Sequence, residues 1–202
     1  MNQQKEKKKK KKKRKLTLLP TCWFRNTWGW GRTGEGYTGR PNISLHKDGG
    51  LQLEHEQLGL WRFWVESKGE FLFTENESNL QRLYGAKNKQ PYVKDAFHRR
   101  VVQGDSKACN PAHQGTKAAA WLQLELAGGE EIELRFRLSQ ADVAPSQPFG
   151  KEFDLTMARR IQECEDYYAE HAPHVKGAER QVWRQALAGL FWSKKFYYYA
   201  VD

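Results

Sequence analysis

NISLHKDGGLQLEHEQLGLWRFWVESKGEFLFT, residues 42–74, decides the fold class. It holds four strand-like runs, at 42–46, 51–56, 58–66 and 70–74. Asp48-Gly49-Gly50, between the first two, is a hairpin signal, because glycine takes the backbone angles that tight turns need. In the third run Leu58, Leu60, Arg62, Trp64 and Glu66 alternate with Gly59, Trp61, Phe63 and Val65. Large apolar groups fall on both faces, as expected of a strand covered on both sides.

Upstream, residues 16–28 read as a strand and its exit. The loop that follows, GWGRTGEGYTGRP at 29–41, carries five glycines and a proline. Downstream, residues 75–118 are polar and irregular, with Pro91 and Pro111 as breaks. A loop that long is usually functional or packs on a neighbour. Two more strands, at 119–126 and 131–139, flank Gly128-Gly129. In the second, Ile132, Leu134, Phe136 and Leu138 alternate with Glu131, Glu133, Arg135 and Arg137, the pattern of a half-exposed antiparallel strand. The β part reads as a piece of an antiparallel sandwich.

Pro145 and Pro148 mark a linker, and helical periodicity follows. Asp154 is placed to cap the first helix, with Phe153, Met157, Ile161, Cys164 and Tyr168 on one stripe. Pro173 and Gly177 separate it from AERQVWRQALAGLFWSKKFYYYAVD, residues 178–202. There Trp183, Phe191, Trp192, Phe196, Tyr197, Tyr198 and Tyr199 crowd one short helical stretch, which needs other helices to cover it. The chain therefore reads as a fragment. Its expected order is a lysine-rich disordered leader (1–15), a partial β-sandwich (16–140), a linker with a helix (141–177) and the start of a truncated helical domain (178–202).

The formal charge of +10 is misleading as a property of the whole. Residues 1–15 contain ten lysines and arginines and one acid, Glu6, while the remainder has 24 basic and 23 acidic residues. A lysine run repels itself and buries nothing. It has the chemistry for nucleic acid or anionic lipid, although an incidental solvated tail is the simpler account. Three widely spaced cysteines (Cys22, Cys109, Cys164) form no CxxC pair and fit small buried hydrophobes in a reducing compartment. No apolar run is long enough to span a bilayer, and the basic start lacks the apolar stretch of a secretory signal. A cytoplasmic location is expected. Asn42-Ile-Ser44 and Asn76-Glu-Ser78 match the glycosylation sequon, which carries little meaning without such a signal.

Gly29-Trp30-Gly31-Arg32-Thr33-Gly34 matches GxGxxG, but a dinucleotide site also needs a helix opening there, and Gly36, Gly39 and Pro41 forbid it. The six histidines show no zinc-ligand spacing, and no GxSxG nucleophile is present. Neither a metal nor a cofactor is implied. Glycosidase chemistry needs two placed carboxylates. Asp95, Asp105 and Glu152 lie in or near loops, and nothing singles out a pair. Trp23, Phe24, Arg25, Trp28 and Trp30 cluster beside the glycine loop, where flat rings and a guanidinium suit stacking on sugars or bases. An ordinary core strand would use its aromatics in the same way.

Five segments, in order, carry a resemblance: Leu19-Pro20-Thr21-Cys22-Trp23-Phe24-Arg25-Asn26-Thr27-Trp28; Phe73-Thr74-Glu75-Asn76-Glu77-Ser78-Asn79; Pro91-Tyr92-Val93-Lys94-Asp95-Ala96-Phe97-His98; Gly115-Thr116-Lys117-Ala118-Ala119-Ala120; and the stretch from Arg184 to Tyr199. Together they resemble bacterial proteins of glycoside hydrolase family 63. The resemblance implies a β-sandwich, a linker and an (α/α)6 barrel that hydrolyses α-glycosidic bonds of oligosaccharides with inversion, without a cofactor. A general acid protonates the leaving oxygen and a general base activates water on the opposite face. Both would lie beyond Asp202, so no catalytic residue is carried over and this chain alone is expected to be inactive. Arg25, Trp28 and Trp30 on the loop, with Trp192, Lys194 and Tyr198 near the barrel entrance, are the candidate carbohydrate contacts. Two other readings stay open: a non-catalytic carbohydrate-binding sandwich, and nucleic-acid binding through the lysine tail, which would show steep salt dependence.

Overall fold

The computed structural model describes residues 12–34 and 36–193, without the side chain of Trp30. The chain divides into two compact units, Met1–Phe149 and Gly150–Asp202. The first contains strands β1 (Arg14–Leu18), β2 (Thr21–Trp23), β3 (Asn42–Leu45), β4 (Leu51–His55), β5 (Gly59–Val65), β6 (Glu70–Thr74), β7 (Gln114–Gly115), β8 (Lys117–Leu126) and β9 (Phe136–Gln140). Two short helices, α1 (Leu80–Tyr84) and α2 (Ala96–Val101), fall in the segment read from sequence as irregular.

Both sheets are antiparallel. In the first, β8 is central. β1 and β2 lie on one flank (Leu16 opposite Leu124, Cys22 opposite Ala118), and β6 lies on the other (Leu72 opposite Ala119). Pro20 separates β1 from β2, having no N–H for a ladder, yet its carbonyl still accepts the Ala120 N–H at 3.0 Å. The second sheet runs β7-β3-β4-β5-β9. Its β3–β4 hairpin turns at Asp48-Gly49-Gly50, with Gly49 at φ 85° and the Gly50 N–H on Asp48 Oδ1 at 2.9 Å.

The sheets share a core. Ile43, Leu51, Leu53 and Phe63 from the second meet Phe73 and Ala118 from the first. On the outer face of the first sheet, Leu72 and Ala119 are covered by Phe97 of α2. Ala118, Ala119 and Ala120 are all buried, so β8 is covered on both faces. Three small residues in succession let a sheet on one side and a helix on the other approach the same strand closely.

Some elements differ from the expectation. Strand pairing after the Gly128-Gly129 turn begins only at Phe136, and Ile132 is 49 % exposed. In β5 the two-sided cover holds at Phe63 and Trp64, whereas Leu58 and Leu60 are exposed. β1 starts inside the lysine-rich leader, and Lys15 lies 3.9 Å from Glu125 on β8. Exposed strands tolerate lysine because its stem can lie along the sheet while the ammonium stays in water.

The second unit is a helical hairpin, α3 (Lys151–His171) and α4 (Gly177–Ser193). The helix expected to be capped by Asp154 starts earlier, with Gly150 at the cap position. Asp154 lies in the first turn, where its charge suits the helix dipole, and its N–H donates to the Gly150 carbonyl at 3.0 Å. The helices join through Tyr168, edge-on to Trp183 at 5.5 Å, and through Glu165, which accepts from Arg180 at 3.1 Å and Arg184 at 2.6 Å. Neither helix buries a residue fully; Met157, Ile161, Val182, Leu190, Phe191 and Trp192 are all exposed. Phe196, Tyr197, Tyr198 and Tyr199 lie outside the described residues. Among the described residues, no helix is long and apolar enough to cross a membrane.

Candidate functional site

The segment that leaves β6, Thr74-Glu75-Asn76-Glu77, is held from three directions by polar contacts. Asn76 Nδ2 donates to the Phe24 carbonyl at 2.8 Å, and Asn26 Nδ2 donates to the Asn76 carbonyl at 3.1 Å. Asn26 Oδ1 accepts the Gly29 N–H at 3.0 Å and so starts the short 3-10 turn Trp28–Trp30. On a second side, the Glu75 N–H donates to the Tyr92 carbonyl at 3.0 Å and Thr74 Oγ1 donates to the Val93 carbonyl at 2.8 Å. On the third, Thr116 Oγ1 accepts the Asn76 N–H and donates to Glu75 Oε2, both at 2.8 Å. Gly115 is required here, since a Cβ would come 2.4 Å from the Thr74 carbonyl oxygen.

Glu75 is buried, and an unpaired buried carboxylate would be costly. Arg40 Nη2 meets its other oxygen at 2.5 Å. With one oxygen on Arg40 and the other on Thr116, Glu75 serves as a structural anion. It holds Arg40, at the end of the glycine loop, against the sheet.

Arg40 also lines a cleft of about 400 Å³ with Asn42, Glu54, His55, Glu56 and Leu60. His55 Nδ1 accepts the N–H groups of Gln57 and Leu58, both at 3.2 Å, which places the proton of the neutral ring on Nε2. The ring lies against Phe24 at 5.0 Å. Glu56 Oε2 accepts the Gly39 N–H at 2.7 Å, and Glu54 pairs with Gln52. The cleft thus offers a guanidinium, a ring N–H and carboxylate acceptors, the groups that bind a polyhydroxylated ligand.

The expected contact residues fall in different places. Trp28 is half-buried with its Nε1–H 3.4 Å from Glu77 Oε1, and Arg25 is exposed. Trp30 closes the 3-10 turn, and its side chain is outside the described residues. Trp192 is 86 % exposed in the helical unit, while Lys194 and Tyr198 lie outside the described residues. Sequence reasoning missed Arg40, Glu75, Asn76, Thr116 and His55. The available signals were the run of polar residues directly after the apolar strand Glu70–Thr74, and the place of Glu75, Asn76 and Thr116 within segments that carry the resemblance.

The loop carboxylates do not assemble into an acid–base pair. Asp95 Oδ2 accepts from Asn79 at 3.0 Å, and its buried Oδ1 has no partner. The Lys107 N–H and the Arg99 guanidinium hold Asp105 below the usual carboxylate range. Glu152 belongs to the helical unit and accepts from Thr156 at 3.1 Å. Burial pushes the Cys22 thiol up to about 12 and the Cys109 thiol up to about 11, so both stay protonated and unreactive at neutral pH. Among the described residues, no group of His, Cys, Asp or Glu could hold a metal ion.

This geometry defines a class: two facing antiparallel sheets with a polar corner, followed in sequence by a helical hairpin with exposed apolar residues among those described. No family model matches the chain, and no solved structure matches it. It is similar to an uncharacterized protein of Saccharomyces cerevisiae, YMR196W, at 29 % identity over 223 residues covering 93 % of this chain and 20 % of the yeast protein. The chain spans about a fifth of the length of the curated relative it matches.

Proposed function

We propose that this chain is the β-sandwich portion and helical entrance of a cytoplasmic glycoside hydrolase of the family 63 type. In this reading α3 leads into an (α/α)6 barrel that α4 opens, and the acid and base that invert the α-glycosidic bond lie on later helices. The observation that carries the reading is the polar corner. Four of the segments that resemble the family are far apart in sequence, yet Asn26, Glu75, Asn76, Tyr92, Val93 and Thr116 join them into one hydrogen-bonded unit. The exposed row on α4 supports it, because such a face calls for further helices. Arg25, Trp28, Trp30, Trp192, Lys194 and Tyr198 remain the proposed saccharide contacts.

The test is to sequence the coding region on both sides and to assay α-glucoside oligosaccharides with this chain and with its extended product. The expected result is no turnover by this chain, and release of the inverted anomer by the product that includes the later helices. A reading frame without a helical barrel bearing an acid and a base, or turnover by this chain alone, overturns the proposal. The cleft beside Arg40 favours a second reading, a non-catalytic carbohydrate-binding sandwich. Calorimetry that detects no heat with any α-glucan or oligosaccharide removes it.

A further inference from the structure

The outer face of the first sheet carries a second arrangement that the reading above does not use. Trp23 on β2 stands opposite Lys117 on β8, so the two side chains are neighbours on one face. Cys22 and Phe24, on either side of Trp23, pack toward the core, whereas Trp23 is 58 % exposed. Lys117 is half-buried, with its ammonium 5.2 Å from the centre of the Phe97 ring on α2. Its cross-strand neighbour on the other side, Thr74, is buried and spends its hydroxyl on the Val93 carbonyl.

Lys117 has no carboxylate partner among the described residues, and neither has nearby Lys94. Several other cations of the sheet and helical units do have carboxylate partners. Arg40 pairs with Glu75, Arg100 with Glu70, and Arg184 with Glu165. Burial, with a contribution from the charge of Lys94, lowers the pKa of Lys117. Lys94 directly follows Val93, whose carbonyl takes the hydroxyl of Thr74, the cross-strand neighbour of Lys117, so both lysines lie at the Trp23 end of this face, beside a flat apolar surface open to solvent. A half-buried charge left unpaired is costly, and a bound anion would relieve that cost.

We propose that Trp23, Lys117 and Lys94 form a binding site for an anionic sugar, a pyranose ring bearing a carboxylate or a phosphate. The ring's C–H face lies on the Trp23 indole, and the anionic group lies between the two ammonium groups. This site is separate from the cleft beside Arg40 and independent of where the hydrolytic carboxylates reside. A neutral sugar would leave the ammonium groups unpaired, and a bare anion would leave the indole unused.

The experiment titrates the full chain with glucuronate, glucose 6-phosphate, glucose and inorganic phosphate, following indole and lysine resonances by NMR. At least one of the two acidic sugars is expected to bind with a Kd of about 1 mM, and glucose and inorganic phosphate at least about tenfold more weakly. Which acidic sugar binds assigns the anion as carboxylate or phosphate. Trp23→Ala, at an exposed position, is expected to weaken binding about tenfold, and Lys117→Gln by a similar factor. Lys94→Gln, also at an exposed position, is expected to cost about threefold, which keeps the test decisive if Lys117→Gln disturbs packing. Inorganic phosphate binding as well as the sugar phosphate, with no response to Trp23→Ala, would assign the anion to the lysine-rich leader and overturn the proposal. Equal affinity for glucose, or no binding by either acidic sugar at tens of millimolar, as an order of magnitude, also overturns it.

Discussion

The sheet unit and the helical unit solve the burial problem differently. In the sheet unit Ile43, Leu51, Phe73 and Leu122 are essentially inaccessible, and the sheets supply each other's apolar cover. In the helical unit neither helix has a buried residue, and its joint is made of Tyr168, Trp183 and the ion pairs of Glu165. Apolar composition is therefore a poor guide to a core. The 178–193 stretch is rich in apolar residues, but within the helical hairpin α3 and α4 cover only one stripe of each other.

The sharpest way to break this contrast is to remove one phenylalanine from each unit. Phe73→Ala is expected to cost about 3–5 kcal/mol in chemical denaturation, through lost transfer energy and a cavity. Phe191→Ala, at a 58 % exposed position, is expected to stay within about 0.5 kcal/mol. Comparable losses at the two sites would mean that α4 is covered in solution. The next largest effect lies in the polar corner. Thr116→Val keeps the shape but strands the Asn76 N–H and one Glu75 oxygen, so a loss of about 1–3 kcal/mol is expected. A neutral result would show that water takes over both partners. The helical joint should respond to salt rather than to packing. Glu165→Gln removes the carboxylate shared by Arg180 and Arg184, and the expected outcome is a small loss of helicity at low ionic strength that high salt erases.

Local rules made the hairpin and the two long helices α3 and α4 legible in the sequence, but not the short α1 and α2. Asp48-Gly49-Gly50 turns where glycine freedom permits it, and the helices follow their apolar periodicity. The strand expected over 131–139 was only half right, because alternation between Ile132 and Arg135 reflects one apolar face without requiring a hydrogen-bonded neighbour. Only the first two residues of β1 were hidden by charge, since a lysine run reads as solvated chain even where Arg14 and Lys15 pair with β8; the strand itself was expected from residue 16. The candidate site was largely illegible. Trp28 stood out beside its glycine loop, but its partner Glu77 is 49 residues away, and Thr116 meets Glu75 across 41. Hydrogen bonds of that span arise from topology and leave no local pattern.

The smallest expected effect concerns the turn that the sequence announced most plainly. Burial alone would raise the pKa of Asp48. The Gly50 N–H at 2.9 Å, the His46 ring and the Trp64 Nε1–H at 3.2 Å outweigh it and hold the carboxyl below its ordinary range. A carboxyl depressed in the folded state stabilises above its unfolded pKa, and that contribution fades as pH falls through the folded value. Asp48→Asn should therefore weaken the hairpin slightly at neutral pH, read from the Trp64 indole resonance and from exchange of the Gly50 amide. The difference between the two proteins should start to shrink below about pH 4, where the unfolded carboxyl takes up its proton, and close once the folded carboxyl, held lower, is protonated as well. A difference that persists unchanged in acid would trace the effect to the packing of Trp64 on Gly50, where a Cβ would come 2.6 Å from the indole, rather than to the charge. The Asp48 turn would then be held by fit, unlike the Glu165 joint of the helical unit, whose ion pairs solvent can replace.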